Sequence, residues 1–272
     1  MKNQVLNRRS WLRPLLILCG LLAGFSLASA QDEGERSKEA TRNIRFLPVG
    51  MSPIFRQEIR DGVRYELEPP EGSVPPLKIT LEAFDAEEKP VTVKLTSSQE
   101  EGVMLRLNAI SAPVKVATDA TALKMLDEGP WAAVKLPLEK DVLVVLWRDR
   151  QEGTWARARS LVVEEDPQSY GEGQLRVINI SPAKLKLAIA GQGGLQLSPG
   201  EVKFHKVGIT EGTPVVLQYQ DLRKGWQRLW SNAVTLPRGR RGTLLIYYAD
   251  GDKPRKPIEV FFLRELVVRP TE

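Results

Sequence analysis

The chain has 272 residues with one histidine and one cysteine, and its 39 basic and 34 acidic side chains leave a net charge of +5. Such an inventory excludes a cysteine-rich or histidine-rich metal centre, which needs several of these ligands in one place. Four of the basic residues and the only cysteine lie within residues 1–30. A chain trimmed there carries 35 basic and 34 acidic groups, net +1, too even a balance for wholesale nucleic-acid binding.

Residues 1–30 read as an export leader of bacterial style. Lys2, Arg8, Arg9 and Arg13 precede an apolar run from Leu15 to Ala28, and the small residues Ala28, Ser29 and Ala30 form the expected cleavage site. The run falls short of the ~20 residues a bilayer span takes, so no permanent membrane anchor is expected. "NRRSWLR" also resembles the twin-arginine leader pattern, and either the general secretory or the twin-arginine route fits. Residues 31–43 are polar, charged and aperiodic, as in a flexible tail, and folding is expected to begin near Ile44.

From there, alternation with period two predicts strands at "VRYELE" (63–68), "LKITLEAF" (77–84), "VTVKLT" (91–96) and "VMLRLN" (103–108). "PPEGSVPP", with four prolines in eight residues, is expected to cross between the first two as an extended connection. "ATDATALKML" (117–126), with Thr118 or Asp119 as a cap, is the one helical candidate. "WAAVKL", "DVLVVLWRD" and "TWARARSLVV" resume the strand pattern to Val163, and the polar "EEDPQSYGEG" (164–173) is the expected domain boundary. A second series follows: "QLRVINI", "KLKLAIA", "EVKFHKV", "PVVLQYQ", "GWQRLW", "TLLIYYA" and "IEVFFL". "QLRVINI" could close the first series or open the second. "LRVINISPAKLKLAIAG" resembles the opening strands of small extracellular bacterial β-sandwich domains of unknown function; the resemblance implies a fold and no activity.

Two hairpin-like stretches, "VVLWRDRQEGTWARARSLVV" and "VVLQYQDLRKGWQRLWSNAV", match at seven of twenty positions under a shift of 71. This predicts two domains of similar plan, with Trp155 and Trp226 as equivalent core or semi-core residues. Short strands spaced by turns complete the expectation of an all-β protein: two tandem immunoglobulin-like β-sandwich domains, 44–166 and 172–270.

His205, in "VKFHKVG", reads as a structural histidine on a strand. "GQGGLQLSPG" (191–200) lacks both the third glycine and the following helix of a phosphate loop, and reads as two tight turns. Asp250 and Asp252 are followed by Lys253, Arg255 and Lys256, which argues for a hairpin turn over a calcium loop. Asn179-Ile180-Ser181 matches a glycosylation acceptor, but Pro182 follows it.

The remaining constellation is basic and aromatic: Arg223 and Lys224, then Arg238, Arg240 and Arg241, then Lys253, Arg255 and Lys256, interleaved with Trp230, Tyr247 and Tyr248. Gathered on one rim, these side chains would offer guanidinium forks and ring planes to an anionic polymer. The sequence thus points to an exported, noncatalytic interaction or structural protein, periplasmic or extracellular. It needs no cofactor or metal, has no catalytic constellation, and has an envelope protein or an anionic polysaccharide as partner. Anionic-glycan binding through the basic loops is the alternative, and a hydrolase built on two carboxylates is the third reading.

Overall fold

The computed structural model describes residues 41–84, 90–92, 103–207, 212–250 and 254–267. The leader at 1–30, the tail to residue 40, residues 93–96 of "VTVKLT", Asp252 and Lys253 lie outside the described residues. Every described element is a strand. In the first half these are β1 (Thr41–Val49), β2 (Gln57–Arg60), β3 (Val63–Glu66), β4 (Lys78–Phe84), β5 (Pro90–Thr92), β6 (Val103–Met104), β7 (Val114–Ala117), β8 (Ala122–Leu126), β9 (Pro130–Lys135), β10 (Val142–Arg148) and β11 (Ala158–Glu164). The second half holds β12 (Gln174–Asn179), β13 (Leu185–Ile189), β14 (Gln192–Leu197), β15 (Val202–Lys206), β16 (Thr213–Asp221), β17 (Gly225–Val234), β18 (Arg240–Tyr248) and β19 (Ile258–Leu266).

The strands form sheets in the orders β11-β10-β1-β7, β5-β4-β8-β9 with β6 on β4, β15-β12-β18-β19 and β14-β13-β16-β17, and β2 and β3 form a separate hairpin. Alternation along each inner strand decides how the sheets stack. Ile44 and Phe46 of β1 and Val144 and Leu146 of β10 face Leu81, Leu123 and Met125 of the β4 sheet. Leu47, Val49, Leu143 and Val145 point the other way, onto Ile178, Ile180, Leu245 and Tyr247. Behind those, Leu175, Val177, Leu244 and Ile246 face Leu187, Val215 and Leu217 of the β13 sheet. Four layers result, and the two inner sheets are apolar on both faces. That is why "VLVVL" and "LLIYY" read as continuous apolar runs.

The inner sheets share one plan. β1 pairs parallel with β10 and antiparallel with β7, and β12 pairs parallel with β18 and antiparallel with β15. In register, Arg45 lies opposite Leu143 and Arg176 opposite Thr243, so Ile44–Val49 corresponds to Leu175–Ile180 and β10 to β18. "QLRVINI" therefore opens the second half.

This register corrects the one expected from sequence. The shift of 71 superimposes β10–β11 on β16–β17, hairpins that lie in an inner and an outer sheet respectively. Trp155 sits in the β10–β11 turn region, 2% exposed and stacked on Trp131 at 6.3 Å between centroids. Trp226 lies within β17, half-buried, with Lys186 Nζ 5.0 Å from its ring centre. The matched residues are those any apolar hairpin with a polar turn selects.

Residues 117–126 hold no helix. Thr118 and Asp119 lie in a turn, and Leu123 and Met125 of β8 are buried while Lys124 is exposed. β8 pairs with β4 on one side and β9 on the other, and these two ladders outcompete a local helix. Strand structure begins at Thr41, three residues before the expected start, and buries Arg42, which donates to the carbonyls of Ala120 and Pro137. Only Val103–Met104 of "VMLRLN" is strand, and Asn108 takes a positive φ of 57° in the turn that follows.

Candidate functional site

The junction between the inner sheets carries a polar cluster at one end and a cleft at the other. Arg45 and Arg176 hold equivalent places on β1 and β12, and Glu165 and Glu265 hold equivalent places beside β10 and β18, opposite Asp141 and Arg241. Arg45 donates from Nε and Nη2 to Glu165, at 2.7 and 2.6 Å, and from Nη1 to Glu265 at 2.6 Å. Arg176, fully buried, donates Nη1 to the same Glu165 Oε1 at 2.9 Å. Tyr170 lies between two guanidiniums, Arg176 at 4.0 Å and Arg241 at 4.3 Å from its ring centre, and its hydroxyl meets Thr243 Oγ1 at 2.6 Å. Burial alone would push Glu165 up, but the bonds and charges of Arg45 and Arg176 outweigh it and hold the carboxyl below its ordinary range. Burial pushes the Tyr170 hydroxyl up to about 12.

The cleft, about 820 Å³, lies where β10 and β18 end. Val49, Trp147, Arg148 and Arg150 line it from the first half, and Ile180, Ser181, Pro182, Tyr247 and Tyr248 from the second. Trp147 and Tyr247 are equivalent in the register above, and Tyr248 adds a second ring from the second half. Asp250 ties the walls together, accepting the Met51 backbone N–H at 2.7 Å and pairing with Arg148 Nε at 2.6 Å. Gly50 is required there, since a Cβ would stand 2.9 Å from Asp250 Oδ2. Asp149 accepts from Gln151 N–H and from Arg159, and these bonds hold its carboxyl low. Arg150 stacks over Tyr248 at 4.1 Å and donates to its hydroxyl at 3.1 Å. It has no carboxylate partner among the described residues.

Asn179 builds the second wall. Its Nδ2 donates to Ala183 O and Ser198 O, at 2.9 and 3.1 Å, and its Oδ1 accepts from Ser181 N and Oγ. The glycosylation-type triplet is thereby buried, with Asn179 at 0% exposure. At the start of "GQGGLQLSPG", Gly191 and the preceding Ala190 make a left-handed turn (φ 77° and 50°), β14 runs to Leu197, and Ser198–Gly200 turns again beside the cleft.

The basic constellation is divided. Arg223 and Lys224 are exposed at the β16–β17 turn, and their backbone N–H groups cap Asp221. Arg238 is exposed in the β17–β18 loop and Arg240 opens β18. β18 separates Arg240 from Tyr248 by roughly 26 Å at ~3.3 Å per residue, and Arg255 and Lys256 follow at the Tyr248 end. Arg241 is turned into the polar cluster, donating to Tyr170 O at 3.1 Å. Trp230 packs half-buried against the second-half core, and Lys256 Nζ reaches Leu229 O at 3.4 Å. Of the constellation's described members, Tyr247 and Tyr248 line the cleft. His205 is half-buried on β15, opposite Leu175. No group of three or more metal-ligating side chains occurs among the described residues.

Sequence reasoning passed over Trp147, Arg150 and the Arg45–Glu165–Arg176 cluster, and weighed Asn179 only as a glycosylation acceptor. The available signal was the pair of uninterrupted apolar runs ending in "WRDR" and "YYAD", which marks strands covered on both faces. No family model matches the chain, and no curated protein matches it at a significant level.

Proposed function

We propose that the chain is an exported, noncatalytic interaction protein of the periplasm or cell exterior. On this reading its halves are tandem immunoglobulin-like sandwiches, 44–166 and 172–270, and the junction cleft is its contact site. The observation that carries the proposal is the cleft itself: Trp147, Tyr247 and Tyr248 line it beside one guanidinium without a carboxylate partner among the described residues, in walls whose carboxylates are engaged by arginine. Asp149 at the cleft and Glu165 in the polar cluster are both held below their ordinary range. A hydrolase acid needs the opposite shift.

Partners of this chemistry come from the cell envelope. Titration of the purified chain with solubilised envelope polysaccharide and with envelope protein, followed by isothermal titration calorimetry, tests the reading. Binding that Trp147→Ala and Arg150→Ala each weaken supports it, and binding indifferent to both removes the cleft from it.

Anionic glycan is the second reading, favoured by Arg150 stacked on Tyr248 with its charge unmatched. Retention on a heparin column that falls in Arg150→Gln favours the cleft as the anion site. Loss confined to a variant neutralised at Arg223, Lys224 and Arg255 favours the outer loops instead.

A further inference from the structure

The β2–β3 hairpin stands apart from the layers described above. All eight of its strand residues are exposed, among them Ile59, Val63 and Tyr65 at 64%, 54% and 48%, and the preceding Phe55 is 63% exposed. A two-stranded ribbon is marginal by itself in water, and an uncovered apolar edge invites pairing.

Its free edge has a defined hydrogen-bond register. Asp61 and Gly62, with φ of 52° and 79°, form the two-residue turn, and Arg60 pairs with Val63. Leu67 N–H donates to Arg56 O at 2.9 Å. Bonded pairs therefore fall at 60:63, 58:65 and 56:67, so Val63, Tyr65 and Leu67 spend their backbone groups inward. The backbone groups of Arg64 and Glu66 face the open edge.

We propose that this edge pairs with the same edge of a second copy of the chain, antiparallel about a two-fold axis through Tyr65. In that register Arg64 and Glu66 make the bonded pairs with Glu66 and Arg64 of the other copy, joining opposite charges twice. Tyr65 meets Tyr65 in the non-bonded position, where side chains approach most closely, and Val63 meets Leu67 on the same face. Shifting the axis by one residue places Arg64 against Arg64 or Glu66 against Glu66. Neither Arg64 nor Glu66 has an ion-pair partner among the described residues, whereas Glu58 and Arg60 on the other edge already pair at 2.7 Å. Charge complementarity thus selects both the strand and the register, and the symmetric contact closes at two copies. An edge contact of this size belongs to the weak, concentration-dependent class.

Sedimentation equilibrium of the full chain over a range of concentrations tests the pairing. The wild type is expected to show a reversible dimer. Arg64→Glu alone and Glu66→Arg alone place like charges opposite each other twice, and each is expected to weaken the dimer at least about tenfold. An equimolar mixture of the two variants restores every pair and is expected to dimerise like the wild type. Circular dichroism of each variant distinguishes lost pairing from lost folding. A wild type that stays monomeric at all concentrations overturns the proposal, as does a dimer unaffected by the single reversals or a mixture that fails to recover.

Discussion

Arg45 and Arg176, on equivalent strands of the two halves, donate to the same oxygen of Glu165, at 2.6 and 2.9 Å. One carboxylate therefore bridges two guanidiniums at the junction, and Glu265 supplies a second negative charge, 2.6 Å from the first and 3.8 Å from the second. Removing the shared anion leaves the buried Arg176 beside the Arg45 guanidinium with Glu265, 3.8 Å away, as its remaining carboxylate. Glu165→Gln is expected to lower stability by about 3–5 kcal/mol, the range for breaking a buried pair. Urea unfolding monitored by far-ultraviolet circular dichroism measures it, and a change near zero would show the cluster to be dispensable.

The same cluster sets a pH dependence. The Glu165 carboxyl is held low in the folded chain, so its contribution is complete above the unfolded value of ~4.3 and is lost as pH falls through the lower folded value. Tyr170 has the opposite sense. With its hydroxyl raised to about 12, its contribution is complete below ~10 and is lost between there and 12. Thermal melts across pH 2–12 are expected to decline at both ends, and Tyr170→Phe to flatten the alkaline limb.

Leu47 and Leu245, both fully buried, belong to the apolar cluster that joins the inner sheets. Because that cluster is continuous across the junction, calorimetry is expected to show one transition for both halves. Leu245→Ala opens a cavity costing about 2–5 kcal/mol and is expected to broaden or split that transition.

The two tryptophans matched in sequence should differ in cost. Trp155 is 2% exposed, and its carbonyl accepts the Trp131 indole N–H at 2.6 Å. Trp155→Ala is expected to cost about 3–5 kcal/mol. Trp226, half-buried under Lys186, is expected to cost roughly 1 kcal/mol, the scale of a cation–π contact and partial burial. Chemical unfolding of the two variants separates the values.

Gly50→Ala brings a methyl to 2.9 Å from Asp250 Oδ2, so the Met51 bond and the Arg148 pair must shift. Overpacking of this kind costs typically about 1–3 kcal/mol. The expected result is reduced stability, read by urea unfolding followed by circular dichroism.

Strand character was legible in the residues themselves, because period-two alternation and Gly, Pro and Asp turns are local chemistry. "ATDATALKML" shows its limit: Thr118 or Asp119 offers a helix cap, yet Leu123 and Met125 alternate on one strand face, and the β4 and β9 ladders on either side decide it. The likeness of the halves was sought through identities, yet Ile44–Val49 and Leu175–Ile180 share only arginine, at 45 and 176. Their equivalence lies in parallel pairing and in facing directions, which many apolar residues satisfy equally. The basic constellation failed to gather for a similar reason: β18 puts Arg240 and Tyr248 at its two ends, and Arg241 faces a carboxylate 220 residues from Arg45, its neighbour in that cluster.

By itself, then, the sequence determined an all-β chain of alternating strands, since side-chain period and turn propensity act over a few residues. Tertiary structure alone decided which faces of β1, β10, β12 and β18 meet, and with them the arginine cluster, the cleft and the exposed Tyr65 edge. Burial, charge pairing and free backbone edges depend on residues far apart in the chain, and their energies exist only once the layers are stacked.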